Sequence, residues 1–210
     1  MVGALFVKIC GITNSEDARV AVEAGADAIG FIFVPGTPRY IEAAVAREIA
    51  GEMGGTVKKV GVFVDEPAEA VNRLAREVPL DLVQLHGAEA PESAQLVEAP
   101  VIKVVRVRGA IDVERLRAYK ASAYLLDTYV EGAHGGTGKT FDWDLALPIV
   151  RAGLPVLLSG GLTPDNVAEA VRRVRPWGVD VSSGVEAGPG RKDHDKVRAF
   201  IANAQGALSG

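Results

Sequence analysis

The feature that most restricts the fold of this sequence is an eightfold alternation between short apolar runs and longer runs rich in Ala, Glu and Arg. The apolar runs predict β-strands, and the runs that follow them predict helices. The predicted strands occupy residues 6–10, 28–34, 57–64, 82–85, 101–107, 123–127, 155–159 and 178–183. Most are continuously apolar rather than alternating, which is typical of parallel strands buried on both faces. We therefore expect a parallel sheet with a helix after each strand.

Eight such units predict a closed (β/α)8 barrel, the α/β fold known as the TIM barrel. The 210 residues provide about 26 residues per unit, so the barrel is near the minimal length for this fold. The alternative is an open doubly wound sheet, which usually needs only about five or six strands. No linker or low-complexity segment divides the sequence. We expect residues 1–210 to form one catalytic domain.

Composition limits the partners and the compartment that we expect. The formal net charge of −4 gives no bulk attraction for nucleic acid. No apolar run approaches the roughly 20 residues that span a bilayer, and the first residues lack a secretory signal pattern. Cys10 is the only cysteine, which fits a reducing compartment. We expect a cytoplasmic protein with no nucleic-acid or membrane partner, and the sequence leaves open whether it is a monomer or a homodimer.

The sequence carries no motif for a metal or an organic cofactor. Its three histidines, at 86, 134 and 194, are scattered, and no helix contains a His-x-x-x-His pair. Neither Gly-x-Gly-x-x-Gly nor a P-loop is present, so no dinucleotide or nucleoside triphosphate is implied. We expect no metal and no cofactor.

Polar or glycine-rich sequence follows almost every predicted strand. In (β/α)8 barrels, active sites lie at the C-terminal ends of the strands. The candidates in chain order are Cys10, Arg39, Asp65, His86, Arg106, Asp127, residues 159–161 and residues 182–184. Because an apolar strand needs no such ending for its stability, we expect these residues to form a site.

Strands seven and eight end in glycine-containing segments that predict a phosphate site. These segments read Ser-Gly-Gly at 159–161 and Ser-Ser-Gly at 182–184. Glycine lets the backbone approach a ligand closely, and free backbone N–H groups bind anions. A tight turn would explain one such segment, but two on neighbouring strands favour phosphate, which binds at this place in related barrels.

Cys10 and Asp127 are candidates for proton transfer. Each closes a predicted strand, and a thiol and a carboxyl group facing one barrel mouth form an acid–base pair. Taken singly, a free cysteine is usually a small buried hydrophobe, and a strand-end aspartate is usually a cap. Lys8 shares a strand face with Cys10, so it either lowers the pKa of the thiol or pairs with a carboxylate such as Asp180.

Four further features each allow two interpretations. Arg39 lies in a loop stiffened by two prolines and suits carboxylate recognition, or it is a solvated charge. His86 precedes a glycine and is a ligand contact or a structural histidine. Asp180 points into the barrel and either holds a ligand hydroxyl or pairs with Lys8. Residues 132–139, rich in glycine, form a lid over the substrate or a merely flexible loop.

Taken in order, these segments resemble the phosphoribosylanthranilate isomerase family of the tryptophan pathway. The resemblance spans nearly the whole chain and rests on residues 7–13, 30–33, 38–40, 61–64, 84–87, 126–127, 135–138, 159–162 and 180–186. The most specific runs are Val-Lys-Ile-Cys-Gly-Ile-Thr at 7–13 and Asp-Val-Ser-Ser-Gly-Val-Glu at 180–186.

The resemblance implies an Amadori rearrangement of N-(5'-phosphoribosyl)anthranilate to 1-(o-carboxyphenylamino)-1-deoxyribulose 5-phosphate. It implies that Cys10 is the general base, Asp127 the general acid and Arg39 the group that holds the anthranilate carboxylate. The remaining residues that it assigns to substrate binding are Gly160, Gly161, Ser183 and Gly184 at the phosphate, and His86 and Asp180 along the site. The reaction needs only proton transfers, which agrees with the missing cofactor motifs.

Three other functions compete with this interpretation. Phosphate-sugar barrel enzymes of the indole-glycerol-phosphate synthase or ribulose-phosphate epimerase types share the phosphate loops, but they do not predict the pair of Cys10 and Asp127. A non-catalytic binder of phosphorylated ligands would need Arg39 and the phosphate loops but not that pair. A thiol redox role for Cys10 lacks a second cysteine in the chain. Activity on the related aminoaldose of the histidine pathway stays open.

Overall fold

A computed structural model describes residues 4–128 and 142–208 of the chain. Eight parallel strands form a closed barrel in chain order, with β8 paired to β1. The strands are β1 Phe6–Cys10, β2 Ala28–Ile32, β3 Lys58–Phe63, β4 Leu82–Leu85, β5 Val101–Val107, β6 Ala123–Thr128, β7 Val156–Leu158 and β8 Gly178–Val181. The predicted (β/α)8 barrel is therefore confirmed.

Helices follow the strands and cover the outside of the barrel. They are α1 Ser15–Glu23, α2 Ala43–Met53, α3 Ala68–Glu77, α4 Pro91–Ala94, α5 Val113–Arg117, α6 Leu147–Arg151, α7 Val167–Val174 and α8 His194–Gly206. Single 3-10 turns lie at Trp143–Ala146 and Ser183–Val185, and a short hairpin after β8 consists of β9 Glu186–Gly188 and β10 Arg191–Lys192. None of the helices in residues 4–128 and 142–208 has the length and apolarity needed to cross a membrane.

Sequence spacing explains how the helices pack. In α7 the buried residues are Val167, Ala170, Val171 and Val174. This spacing of three and four residues forms one apolar stripe along a helix, and that stripe faces the sheet. At α1, the side chain of Asn14 accepts a hydrogen bond from the N–H of Asp17, which caps the first turn.

The barrel interior follows the two-residue alternation of strands. Its lower part is apolar and consists of Phe6, Ala28, Val60, Leu82, Ile102, Val104, Ala123, Leu125 and Leu157. Residues two positions apart on a strand share a face, so the same faces continue toward the C-terminal ends of the strands. There they carry the side chains of Lys8, Cys10, Gln84, Asp127, Ser159 and Asp180. The polar residues are therefore grouped at the C-terminal end of the barrel, and the core lies below them.

Four of the strands, β2, β3, β7 and β8, end earlier than the sequence predicted. The apolar run that predicted strand eight continues to residue 183, but β8 ends at Val181, because Ser182 leaves the extended conformation with ψ −82°. The 3-10 turn Ser183–Val185 starts directly after it. The last residues of this predicted strand therefore lie in a loop above the barrel.

Candidate active site

A pocket of about 830 Å³, including its open mouth, lies at the C-terminal end of the barrel. The lining includes all nine residues that the sequence assigned to proton transfer or substrate binding: Cys10, Arg39, His86, Asp127, Gly160, Gly161, Asp180, Ser183 and Gly184. The structure therefore brings these residues together.

Two other strand-end candidates do not line this pocket. The Asp65 side chain accepts a hydrogen bond from the N–H of Ala88 and shapes the loop after β4. Arg106 donates to the carbonyl oxygen of His86. Both residues support the loop that carries His86. The glycine-rich segment 132–139, interpreted as a lid or a flexible loop, falls outside the described residues.

Cys10 is the last residue of β1 and is only 4% exposed. It lies beside Gly30 of β2, where an added Cβ would come within 2.8 Å of Sγ. Glycine at position 30 therefore makes room for the thiol. Burial raises the pKa of the Cys10 thiol, and the nearby Lys8 ammonium opposes this effect without cancelling it.

Lys8 and Asp180 form a buried ion pair, which is one of the two alternatives that the sequence left open for each residue. Lys8 Nζ lies 2.6 Å from Asp180 Oδ1, and the hydroxyl of Ser159 donates to Asp180 Oδ2 at 2.9 Å. Lys8 is fully buried, which alone would lower its pKa, but Asp180 and Cys10 together raise that pKa above its ordinary value. Lys8 therefore stays charged, pairs with Asp180 and also acts on the thiol.

Asp127 lies at the end of β6, on the strand face that points into the barrel, and is buried. Its Oδ1 accepts a hydrogen bond of 2.9 Å from the N–H of Thr128. Its Oδ2 lies 3.4 Å from Nε2 of His86. The carboxyl group and the imidazole therefore face each other at one side of the pocket.

Arg39 extends into the pocket with one edge of its guanidinium paired. Its Nε and Nη2 each donate to Glu186 at 2.7 Å. Lys192 Nζ lies 3.1 Å from the same carboxylate and donates to the carbonyl oxygen of Ser182 at 3.0 Å. Burial would raise the pKa of Glu186, but the two cations outweigh burial and hold that pKa below its ordinary range.

The loops after β7 and β8 form a backbone cradle. Gly160 and Gly161 have φ angles of +76° and +71°, which favour glycine. An added Cβ would collide with Thr128 at position 160 and with the carbonyl oxygen of Leu162 at position 184. The N–H groups of Gly160 and Gly161 donate to no other described residue. This arrangement suits an anion.

Two residues that shape the pocket were given no role from the sequence. Gln84 lines the pocket two residues before His86, and Glu186 fixes Arg39. Strand alternation could have found Gln84, because it places residues 84 and 86 on one face. No local signal pointed to Glu186, since its partner is distant in the chain.

The closed barrel, the polar mouth and the two glycine loops place the chain in the class of (β/α)8-barrel enzymes. Residues 7–203 match the family model described as N-(5'-phosphoribosyl)anthranilate (PRA) isomerase. The chain belongs to this family.

Curated relatives and solved structures agree with this assignment. The N-(5'-phosphoribosyl)anthranilate isomerase of Citrifermentans bemidjiense is 55% identical over 199 residues, covering 95% of this chain and 96% of the relative. That of Trichlorobacter lovleyi is 52% identical over 202 residues, covering 96% and 98%. The crystal structure of phosphoribosyl anthranilate isomerase from Thermotoga maritima superposes with a TM-score of 0.90 at 50% identity, covering 96% of this chain and 99% of the other.

Two more solved relatives bear on ligand and assembly. One is a phosphoribosyl anthranilate isomerase in complex with reduced 1-(o-carboxyphenylamino)-1-deoxyribulose 5-phosphate, with a TM-score of 0.86 and 48% identity over 96% of this chain and 99% of the other. The other consists of monomers generated from the dimeric enzyme of Thermotoga maritima. Dimeric and monomeric forms thus both occur among the relatives.

Proposed function

We propose that this chain catalyses the Amadori rearrangement of N-(5'-phosphoribosyl)anthranilate to 1-(o-carboxyphenylamino)-1-deoxyribulose 5-phosphate in tryptophan biosynthesis. The observation that carries the proposal is the order of groups around one pocket in a member of this isomerase family. Asp127 lies at the end of β6, the glycine loops follow β7 and β8, Cys10 ends β1, and Arg39 comes after β2. The phosphate cradle therefore lies between the acid and the base.

The first step in this proposal opens the ribose ring. Asp127 donates its proton to the furanose oxygen while the bond from that oxygen to C1' breaks. The lone pair of the anthranilate nitrogen forms the C=N bond of a Schiff base at C1'. General acid catalysis of this kind contributes roughly 10²–10⁴-fold to a rate.

The second step moves a proton from carbon. The Cys10 thiolate removes the proton at C2', and the electrons of that C–H bond form the C1'=C2' bond of an enolamine. Tautomerisation to the ketone returns a proton to C1'. Atoms and electrons balance without an oxidant or reductant, so this proposal includes no metal and no cofactor.

The ends of the substrate bind to different parts of the rim. The guanidinium of Arg39 binds the anthranilate carboxylate through the edge that Glu186 does not occupy. Backbone groups at the glycine loops hold the phosphate, and these are Gly160, Gly161, Ser183 and Gly184. His86 and Asp180 line the pocket between the two ends.

The cellular setting follows from the same chemistry. A base that acts as a free thiolate must stay reduced, and we therefore propose that the enzyme works in the cytoplasm. Its partner is the small phosphorylated substrate, and the proposal includes no nucleic acid and no membrane. The described pocket is built from one chain, so the reaction suits a monomer and a homodimer alike.

A fluorescence assay tests the reaction. A separate transferase makes the substrate in place from anthranilate and phosphoribosyl pyrophosphate, and its isomerisation is followed without added metal. We expect rapid consumption of the substrate signal by the wild-type chain. No turnover together with tight binding of the reduced product analogue would instead identify a non-catalytic binder.

A further inference from the structure

Gln84 is a buried polar residue that the mechanism above does not use. It belongs to β4, lines the pocket and is 2% exposed. Its amide Nε2 lies 3.3 Å from Nδ1 of His86. Its Oε1 is buried and has no hydrogen-bond partner among the described residues. A buried amide oxygen without a hydrogen-bond partner costs free energy, so its presence at this position calls for an explanation.

The orientation of the Gln84 amide assigns the proton on the His86 ring, because Nε2 rather than Oε1 faces Nδ1. With the amide nitrogen as donor, Nδ1 is the unprotonated acceptor. The neutral imidazole then carries its proton on Nε2. That nitrogen is buried, has no hydrogen bond within the described part of the chain, and lies 3.4 Å from Oδ2 of Asp127.

The Asp127 carboxylate needs donors on both oxygens once it has lost its proton. The N–H of Thr128 already serves Oδ1 at 2.9 Å. Only the Nε2–H form of His86 presents a donor toward Oδ2, whereas the other tautomer would present a lone pair to a negative oxygen. Catalytic hydrogen bonds that are long in a free enzyme tighten when the substrate binds.

We propose that Gln84 is a positioning residue that holds His86 as the neutral Nε2–H tautomer, so that this N–H stabilises the Asp127 carboxylate formed by proton donation. The tautomer depends only on the contact between Gln84 and His86, and the catalytic part rests on the function proposed above. The backbone keeps the ring in place, because the His86 N–H donates to Phe63 and its carbonyl accepts from Arg106.

Nitrogen-15 NMR of the histidine rings tests the proposal on the intact wild-type chain. The protonated and unprotonated ring nitrogens have distinct chemical shifts, so the tautomer is read directly. His86→Asn identifies the His86 signals by their loss, and His194, whose Nε2 lies 2.9 Å from Asp17, is an internal control. We expect a proton on Nε2 of His86 near neutral pH, and a proton on Nδ1 alone would overturn the proposal.

Two variants separate positioning from simple packing. In Gln84→Glu the new carboxylate accepts, so we expect a proton to appear on Nδ1 of His86 while the His194 signals stay unchanged. Gln84→Leu removes the donor, and we expect kcat to fall about tenfold with KM unchanged. Gln95→Leu is the matched control, because the Gln95 amide is exposed, donates to the carbonyl oxygen of Ala118 and does not line the pocket.

The outcomes distinguish this inference from the proposed function. An unchanged His86 tautomer in Gln84→Glu would overturn the inference even if the enzyme isomerises its substrate normally. If Gln84→Leu does not fold, the wild-type spectrum and Gln84→Glu decide the question alone. An Nε2–H proton in a chain without isomerase activity would support the tautomer and overturn the proposed function.

Discussion

Burial and charge act on the Cys10 thiol in opposite directions. Burial is the larger effect and raises the thiol pKa, while the Lys8 and Lys192 ammonium groups lower it and the Asp180 carboxylate raises it. The net pKa lies above the ordinary value for cysteine. A free enzyme near neutral pH therefore holds Cys10 mainly as the thiol, and the thiolate fraction increases as the pH rises.

The rate of alkylation of Cys10 checks this balance. Only the thiolate reacts, so we expect the iodoacetamide rate to rise with pH to a midpoint above about 8.5, the value for a free thiol. The chain has no other cysteine, so every modified thiol is Cys10. The same chain unfolded in urea is the control, and a midpoint below that of the unfolded chain would contradict the stated balance.

At the residue scale, sequence alone predicted which residues meet but not how they pair. Strand alternation placed Lys8 and Cys10 on one face, and the structure confirms that both point into the barrel top. The spacing could not decide between the two roles of Lys8, since that choice depends on distances of a few ångströms. The contact between Lys8 and Asp180 exists because β1 and β8 pair with these residues in register.

At the scale of elements, a buried ion pair organises the loops after β3 and β4. Glu89 Oε2 lies 2.6 Å from Lys103 Nζ, and its Oε1 accepts from the N–H groups of Asp65 and Gly87 at 3.0 Å each. Lys103 also donates to the carbonyl oxygen of Gly87 at 2.9 Å. Because His86 precedes Gly87, this pair fixes the loop that positions the imidazole.

Removing one partner of the Lys103–Glu89 ion pair should destabilise the folded protein. We expect Lys103→Met to lower the free energy of unfolding by about 3–5 kcal/mol, since it leaves Glu89 buried and unpaired. Arg76→Met is the control: Arg76 and Glu98 form a pair whose side chains are 63% and 64% exposed, and its loss should cost at most about 1 kcal/mol. Urea unfolding measures both, and equal losses in the two variants would contradict this role.

The stability that the Lys103–Glu89 pair contributes depends on pH. Burial would raise the pKa of Glu89, but Lys103 outweighs burial and holds that pKa below its ordinary value. A lowered carboxyl pKa contributes stability that is present above the ordinary glutamate value and disappears as the pH falls through the folded value. We therefore expect the stability difference between wild type and Lys103→Met to shrink in acid.

The glycine loops are tested by comparing Gly184, inside the 3-10 turn Ser183–Val185, with Gly188, at the end of β9. In Gly184→Ala the new Cβ would overlap the carbonyl oxygen of Leu162, so the loops after β7 and β8 must separate. We expect affinity for the reduced product analogue to fall at least about tenfold, the loss of one good charged hydrogen bond. In the control Gly188→Ala the Cβ meets nothing within 4 Å. Equal affinity of the two variants, measured by ligand titration, would contradict a phosphate site here.

At this scale the sequence predicted the existence of each strand but placed the ends of β2, β3, β7 and β8 one or two residues too late. An apolar run shows that a segment is buried but not where its strand ends. Val62 lies in β3 and Val64 lies beyond its end at Phe63, yet both line the pocket. Apolar residues in a pocket wall have the same composition as those in a strand. The end of an element depends on its neighbours, and those neighbours are set by the closed barrel.

At the scale of the whole molecule, barrel closure brings the two ends of the chain together. Arg39 and Glu186 are 147 residues apart, and they meet because β8 pairs with β1, so that the loops after β2 and β8 flank it. Eight repeated units were sufficient to predict closure. A contact across the closing seam has no periodic signal, which is why the partner of Arg39 was not predicted.

The central claim is that one pocket contains the acid and the base of the same isomerisation. The most direct test measures turnover of N-(5'-phosphoribosyl)anthranilate by wild type, Cys10→Ser and Asp127→Asn, together with their affinity for the reduced product analogue. We predict that each substitution lowers kcat by roughly 10²–10⁴-fold, the usual contribution of general acid–base catalysis, and leaves affinity within about threefold. Full turnover in either variant would contradict the assigned roles of Cys10 and Asp127.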